Sequence, residues 1–210
     1  MNIHNKKYHG YIPKKILIKL MGGSNKKGKK VNIEEFCYKN KNPLIRIYFN
    51  GLLKSTVKIS KYWKKNNLTI LDFGCSCQQL KKILNNKSVQ YIGYDIDKRY
   101  SDIEDYKKTK PDYIFCINVL EHLTKIKLET LLKDLKKMNK NIRIITAIPN
   151  MNFLSNILNG ITQDLQWENE NYDIHKMEFN EIQNILKNKC KLIKSKDYMF
   201  IQKVQLWKMA

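Results

Sequence analysis

The segment from Leu68 to Asp97 limits the fold of this chain more than any other. It reads LTILDFGCSC, then a helix-compatible stretch, then YIGYDID. One apolar run ends at Asp72, a turn follows at Gly74, and a second apolar run ends at Asp95. Residues 69–73 scarcely alternate between apolar and polar, which suits a parallel strand covered on both faces. Gly74 can take backbone angles closed to other residues and lets a ligand approach the main chain. A helix from about Gln78 to Asn85 would aim unpaired N–H groups at whatever occupies the turn. Asp95 follows the turn by about 20 residues, where an acid can take the two hydroxyls of a ribose. Strand, tight turn, helix, strand, acid is the half-fold that holds an adenosine-bearing cofactor at the carboxyl ends of parallel strands.

The same α/β rhythm continues. Strands are expected at 69–73, 90–95, 112–117 and 143–148, and helices at 78–86, 126–138 and 178–188. Residues 191–210 read as two strands turning near Lys196 and Asp197. The interval from Asp97 to Asp112 is short and lysine-rich, so one crossover that would carry a helix and a strand is reduced. Upstream, Pro13 opens a short helix to Met21, and residues 22–28 form a Gly-rich loop. A helix over Pro43–Lys65 sets Ile45, Tyr48, Phe49, Leu52, Ile59 and Trp63 roughly on one face. Residues 151–175, with Phe153, Leu154, Ile157 and Leu158, form a lid or a packed crossover. The expected fold is α/β: a doubly wound, mostly parallel Rossmann-like sheet with a C-terminal antiparallel strand pair and an N-terminal basic helical extension. Residues 1–42 are the extension and 43–210 the main domain.

Charge is uneven along the chain. The 210 residues carry a formal charge of +21, and only Arg46, Arg99 and Arg143 are arginine. Residues 1–65 hold 17 lysines and arginines against Glu34 and Glu35, a net +15, while the other 145 residues net +6. Lysine-rich composition raises the whole chain; the gradient adds a basic cap suited to an anionic acceptor, nucleic acid or an acidic membrane surface. No run of 18 apolar residues exists, so no transmembrane helix is expected, and the first residues do not have the pattern of a secretory signal. Cys37, Cys75, Cys77, Cys116 and Cys190 are odd in number and form no disulfide framework, which points to reduced thiols in a cytoplasm-like compartment.

Two further segments share the sheet's carboxyl edge: DYIFCINVLEHL at 112–123, and ITAIPN at 145–150. With LDFGCSC at 71–77, YIGYDID at 91–97 and IHKMEFNEIQNIL at 174–186, the chain resembles the class I S-adenosylmethionine-dependent methyltransferases from about Pro43 to Ala210. The resemblance implies S-adenosylmethionine as cofactor. It implies that Asp72, Gly74 and Ser76 form the motif meeting the methionine part, that Asp95 binds the ribose hydroxyls, and that Asn118 and Val119 lie under the cofactor near the methyl donor. His175 matches a position on the substrate side. The family often has glycine where Ser76 and Gln78 stand, and Gln78 would intrude on the cofactor unless the loop shifts. Asp102, Glu104 and Asp105 are candidate stand-ins for the usual acid near the adenine.

Methyl transfer to oxygen or nitrogen is an in-line displacement at an activated carbon, so positioning dominates and a base helps with a hydroxyl acceptor. His122 and His175 are the candidate catalytic residues, since histidine titrates near neutrality. Glu121-His122 is similar to the Glu-His of relatives that hold a divalent ion, including some ubiquinone-pathway and small-RNA ribose methyltransferases. Those carry another glutamate at the position of Asn118, so no metal is expected here. The expected acceptor is a small molecule, saccharide or lipid-linked compound. An RNA (ribose) or protein acceptor met through the basic residues 1–65 is the alternative. A catalytically silent binding subunit of the same fold is a further one.

Overall fold

The computed structural model describes residues 30–31, 34–62, 66–84, 88–150, 166–167 and 175–210. The expected Pro13–Met21 helix, the Gly-rich loop, Trp63 and residues 151–165 and 168–174 of the lid lie outside them. Six strands form one sheet: β2 (Leu68–Phe73), β3 (Val89–Tyr94), β4 (Tyr113–Ile117), β5 (Arg143–Pro149), β7 (Cys190–Tyr198) and β8 (Gln202–Met209), in the order β3-β2-β4-β5-β8-β7. The first four are parallel, and β8 runs antiparallel to both β5 and β7. Two short segments, β1 (Lys30–Val31) and β6 (Gln166–Trp167), pair in parallel apart from this sheet.

Alternation along the central strands sorts their side chains between two cores. Ile70, Phe115, Ile145 and Val204 face one side, packed with Leu52 and Ile59 of helix α1 (Pro43–Ser60) and Leu80 and Leu84 of α2 (Gln79–Leu84). Leu71, Ile114, Ile144 and Trp207 face the other, against Leu128, Leu131 and Leu135 of α3 (Lys125–Met138) and Ile182 and Leu186 of α4 (Phe179–Lys189). Both faces of the sheet are therefore covered, which is why strands such as Tyr113–Ile117 have almost no polar positions.

Helix α1 starts where Asn42 accepts the Leu44 N–H at 3.0 Å and Pro43 occupies the first turn. It ends five residues earlier than the sequence pattern implies, because Lys61 adopts a left-handed conformation (φ 52). Its buried Thr56 and Ser60 hydroxyls donate to the carbonyls of Leu53 and Val57, so neither is left unsatisfied. The final reversal also differs from expectation: β7 runs on to Tyr198, and the turn falls at residues 199–201. Lys196 and Asp197 instead pair with Val204 and Lys203 inside the ladder. Exposed lysines at 191, 194 and 196 guard this edge strand against further pairing. The reduced crossover is as expected, since between β3 and β4 the chain forms only a short 3₁₀ turn, Tyr106–Lys108. Among the described residues no helix is long and apolar enough to cross a membrane, and all five cysteines are free thiols.

Candidate active site

The carboxyl ends of β2, β3 and β4 converge on the turn after Phe73. Gly74 takes φ +78, and a Cβ there would run into the Val119 side chain, so glycine is required by both conformation and space. Its N–H and that of Cys75 donate to the Tyr94 carbonyl at 2.7 and 3.1 Å, tying the turn to the end of β3. Ser76 and Gln78 are also left-handed, at φ 43 and 53. These are the two positions where the sequence departs from glycine, and the backbone still follows the path that glycine would favour.

The Gln78 side chain, expected to intrude on the cofactor unless the loop shifts, is bound to a neighbouring loop. Its amide donates to the Tyr100 carbonyl at 2.8 Å and to Asp102 Oδ1 at 3.0 Å, which ties it to the loop after β3. Asp102 Oδ2 accepts the Gly93 N–H at 2.8 Å. A Cβ at Gly93 would press on Cys75 Sγ, Asp102 and Gln78 together, so that glycine makes room for the tie. Asp102 is thereby committed to holding the loop. Asp105 caps the 3₁₀ turn through the Lys107 N–H, and Glu104 is exposed beside Lys98.

Asp95 is buried at the end of β3. Its two oxygens accept the N–H groups of Ser76 and Asp97 at 2.8 and 2.9 Å, which fixes the carboxylate against the turn. Asp72, buried at the end of β2, accepts the Tyr91 hydroxyl at 2.7 Å. Burial raises its pKa to about 7; the Tyr91 bond opposes this, and the charges of Asp95 and Asp102 add to it. Two buried acids at adjacent strand ends favour a cationic ligand. Asn118, at φ 53 just beyond β4, has a buried Oδ1 with no hydrogen-bond partner among the described residues. An orphaned acceptor, a turn with no room for a Cβ and paired acids fit a ligand that is both cationic and rich in donors.

Val119, which closes on Gly74, leads directly into a 3₁₀ turn, Leu120–His122. The chain entering α4 is strapped to that turn, since the N–H groups of Lys176 and Met177 donate to the Glu121 carbonyl at 2.7 and 3.3 Å. This brings the His122 and His175 rings edge to face, with centroids 5.1 Å apart. Glu121 lies beside them at 2% exposure, neither carboxylate oxygen has a hydrogen-bond partner among the described residues, and burial pushes its pKa up to about 8. His175 keeps surface exposure, yet partial desolvation pulls its pKa below the usual histidine value.

The structure thus collects Asp72, Gly74, Ser76 and Asp95 around one turn, brings Val119 against it, and sets His122 and His175 side by side beyond. Sequence reasoning missed the Tyr91 hydroxyl on Asp72. It also missed the π-helical turn Glu34–Tyr38, whose Glu34 accepts from Gln79 at 3.1 Å and pairs with Lys82, drawing the chain before α1 onto the glycine turn. Period-two alternation could have put Tyr91 on a sheet face; nothing local marks Glu34.

The family described as "Methyltransferase domain" matches residues 44–186. The chain belongs to that family. Solved structures agree on the fold at low identity. The PH0226 protein of Pyrococcus horikoshii OT3 is 14% identical with a TM-score of 0.59, over 81% of this chain and 92% of that one. Magnesium protoporphyrin IX methyltransferase of Synechocystis PCC 6803, solved with bound SAM, is 13% identical with a TM-score of 0.55, over 97% of this chain and all of that one. The N-methyltransferase NodS of Bradyrhizobium japonicum WM9, solved with S-adenosyl-L-homocysteine, is 10% identical with a TM-score of 0.53, over 83% and 95%. No curated protein matches the chain. In this methyltransferase domain the matched stretch includes every residue of the glycine turn and both histidines.

Proposed function

We propose that the protein is an S-adenosylmethionine-dependent methyltransferase acting on an oxygen or nitrogen of a small-molecule, saccharide or lipid-linked acceptor. The observation that carries this reading is the turn at Gly74, closed by Val119 and flanked by the buried Asp72 and Asp95. When bound, S-adenosylmethionine supplies an activated methyl group on a sulfonium centre. Asp95, held by two backbone N–H groups, receives the ribose hydroxyls. Asp72 sets a negative charge near the cationic methionine end, and Asn118 offers its buried Oδ1 to a donor of the cofactor. His122 and His175 line the acceptor side, where the acceptor's proton must leave. The chain's chief contribution is alignment of the acceptor with the methyl carbon.

Calorimetric titration with S-adenosylmethionine tests this reading, comparing the wild type with Asp95→Ala and Gly74→Arg. Micromolar binding that is lost in both variants supports it. No binding by a folded wild type would leave a methyltransferase fold that serves as a binding subunit. The net +15 on residues 1–65 favours a second reading, an RNA or other polyanionic acceptor. That acceptor would bind with an affinity falling steeply with salt, whereas a neutral small molecule would not.

A further inference from the structure

We propose that the exposed stripe of α1, together with the tip of the β7–β8 hairpin beside it, is a docking face for an anionic lipid bilayer. The face is argued from the surface itself and goes beyond the methyl-transfer reading.

The turn between β7 and β8 breaks a local rule. Met199 and Phe200 both take positive φ, 50 and 58, and the Ile201 N–H closes the turn on the Tyr198 carbonyl at 3.1 Å. Turns with two left-handed central residues prefer Asn-Gly, because a bulky side chain is strained there. This chain instead holds two large apolar residues in that conformation, and they are 50% and 76% exposed. Neither belongs to the packed core on either face of the sheet. A position that breaks a local rule and gains no packing from it points to a role outside the fold.

Helix α1 supplies the neighbouring surface. Tyr198, next to the tip, donates from its hydroxyl to the Tyr48 carbonyl at 2.9 Å, and that hydroxyl fills the space a Cβ at Gly51 would need. One turn back along the helix from Tyr48 and Gly51 stand Leu44 and Ile47, 72% and 58% exposed. The stripe they begin runs on through Gly51 to the exposed Lys54 and Lys58, at spacings of three and four. The opposite side of the helix, with Ile45, Leu52 and Ile59, is buried. One side of α1 therefore covers the sheet, and the other is apolar at its start and basic beyond.

Charge says what meets this stripe. Residues 36–71 hold eight lysines and arginines and no acid. A polybasic segment is drawn to anionic headgroups, and each lysine near the surface adds to the attraction. Large apolar side chains among such lysines enter the boundary between headgroups and acyl chains, while the lysine stems reach back to the phosphates. RNA would be met by the same lysines, yet it would leave the aliphatic Leu44 and Ile47 unused. The face also has a definite place in the fold. Tyr198 pairs with Gln202, which pairs with Pro149 at the end of β5, so the hairpin tip stands at the carboxyl edge of the sheet. That is the edge that carries Gly74, and a docked bilayer would lie beside the mouth of the crevice.

Co-sedimentation of the full chain with lipid vesicles tests the face. Vesicles of phosphatidylcholine with about a quarter phosphatidylglycerol should bind it saturably, and vesicles of phosphatidylcholine alone at least about tenfold more weakly. Leu44→Ser and Phe200→Gly should each weaken binding to the anionic vesicles at least about tenfold, as should Lys54→Gln and Lys58→Gln combined. Glycine takes a positive φ freely, so Phe200→Gly keeps the turn and carries the test if another variant fails to fold. No sedimentation with anionic vesicles overturns the proposal. So does binding that survives both apolar substitutions, which would leave only a general polyanion site. Tighter binding to a short RNA, lost in the same two variants, reassigns the face to nucleic acid; a dimer lost in Phe200→Gly reassigns it to a second copy of the chain. Either result overturns the bilayer as its occupant. S-adenosylmethionine titrated without vesicles should bind all these variants as it binds the wild type, so the cofactor site reports separately from the docking face.

Discussion

At the Gly74 turn, polar side chains are matched to polar partners within the chain: Asp95 accepts two backbone N–H groups, Asp72 a tyrosine hydroxyl, and Gln78 and Asp102 bind each other across the loop. Around Glu121, two residues beyond the Val119 that closes on this turn, the carboxylate has no hydrogen-bond partner among the described residues and two imidazoles crowd beside it. The difference follows from what each side must do. A turn that takes one invariant cofactor can be locked before the cofactor arrives, and rigidity then lowers the entropic cost of binding. On the function proposed above, the histidine side is where the acceptor enters, and it keeps bonding capacity for groups supplied from outside.

Breaking the locked side should give the largest effect. Gly74→Arg forces a side chain into Val119 and into a left-handed conformation at φ +78. Strain of that kind costs about 1–3 kcal/mol before any blocking of the ligand, so cofactor affinity should fall at least about a hundredfold. Calorimetry measures the loss, and a retained circular dichroism spectrum assigns it to the site. Asp95→Ala should come next. Hydrogen bonds to a charged group contribute about 1.5–3 kcal/mol, and two backbone donors lose their acceptor. Cofactor binding should weaken about ten- to a hundredfold, with a lower Tm by differential scanning calorimetry. Binding that survives Asp95→Ala unchanged would mean that the ribose is gripped elsewhere.

Much of the locked side was legible in the sequence because local rules build it. The apolar run 69–73, the glycine after it and an acid at the end of the next strand are each readable within a short window, and parallel pairing then sets Asp72 beside Gly93 and Phe73 beside Tyr94. The tie from Gln78 to Tyr100 was not legible, because side-chain volume is visible in a sequence and the left-handed φ that directs the side chain is not. His122 and His175 could each be proposed separately, but their contact depends on where the chain returns after β5 and on two backbone bonds to Glu121. The Glu-His pair could be singled out in the sequence, but the burial of the Glu121 carboxylate without a hydrogen-bond partner among the described residues could not, because it depends on the chain packed over that turn.

Asp72 makes the electrostatic part of the comparison measurable. Its folded pKa is raised to about 7 from an ordinary 3.8. The sign follows: the raised pKa favours the folded state most at low pH, and that contribution declines as pH climbs from the ordinary value through 7. Binding of a cation runs the other way, since only the ionised carboxylate attracts it. If the ionised form alone binds, Kd should tighten about tenfold between pH 6 and pH 8. Asp72→Asn should flatten that dependence while keeping a partner for the Tyr91 hydroxyl. An equal pH slope in both proteins would put the titrating group elsewhere.

The finest distinction lies inside the turn, between Ser76 and Gln78, which share a left-handed backbone but not a bonding pattern. A left-handed non-glycine residue costs roughly 1–2 kcal/mol, and glycine returns about 0.5–1 kcal/mol of that as extra entropy in the unfolded chain. The hydrogen bond at Ser76 is made by its backbone N–H to Asp95, and glycine retains that donor. Ser76→Gly should therefore stabilise the protein by about 0.5–1 kcal/mol, a rise in Tm of about 1–4 °C for a domain of this size. Gln78→Gly relieves the same strain but removes the bonds to the Tyr100 carbonyl and Asp102, leaving the loop after β3 to the Gly93–Asp102 bonds, the Ser101 hydroxyl and the Cys75 thiol. It should bring no gain in Tm, and it should raise amide exchange at residues 100–102, where Ser76→Gly leaves exchange unchanged. If both glycines stabilise equally, the Gln78 tie adds nothing to the fold and conformational strain alone governs the turn. If Gln78→Gly is the weaker, the glutamine is retained because it braces the loop beside Asp95, and the departure from glycine at this position compensates for a crossover too short to hold that loop by packing.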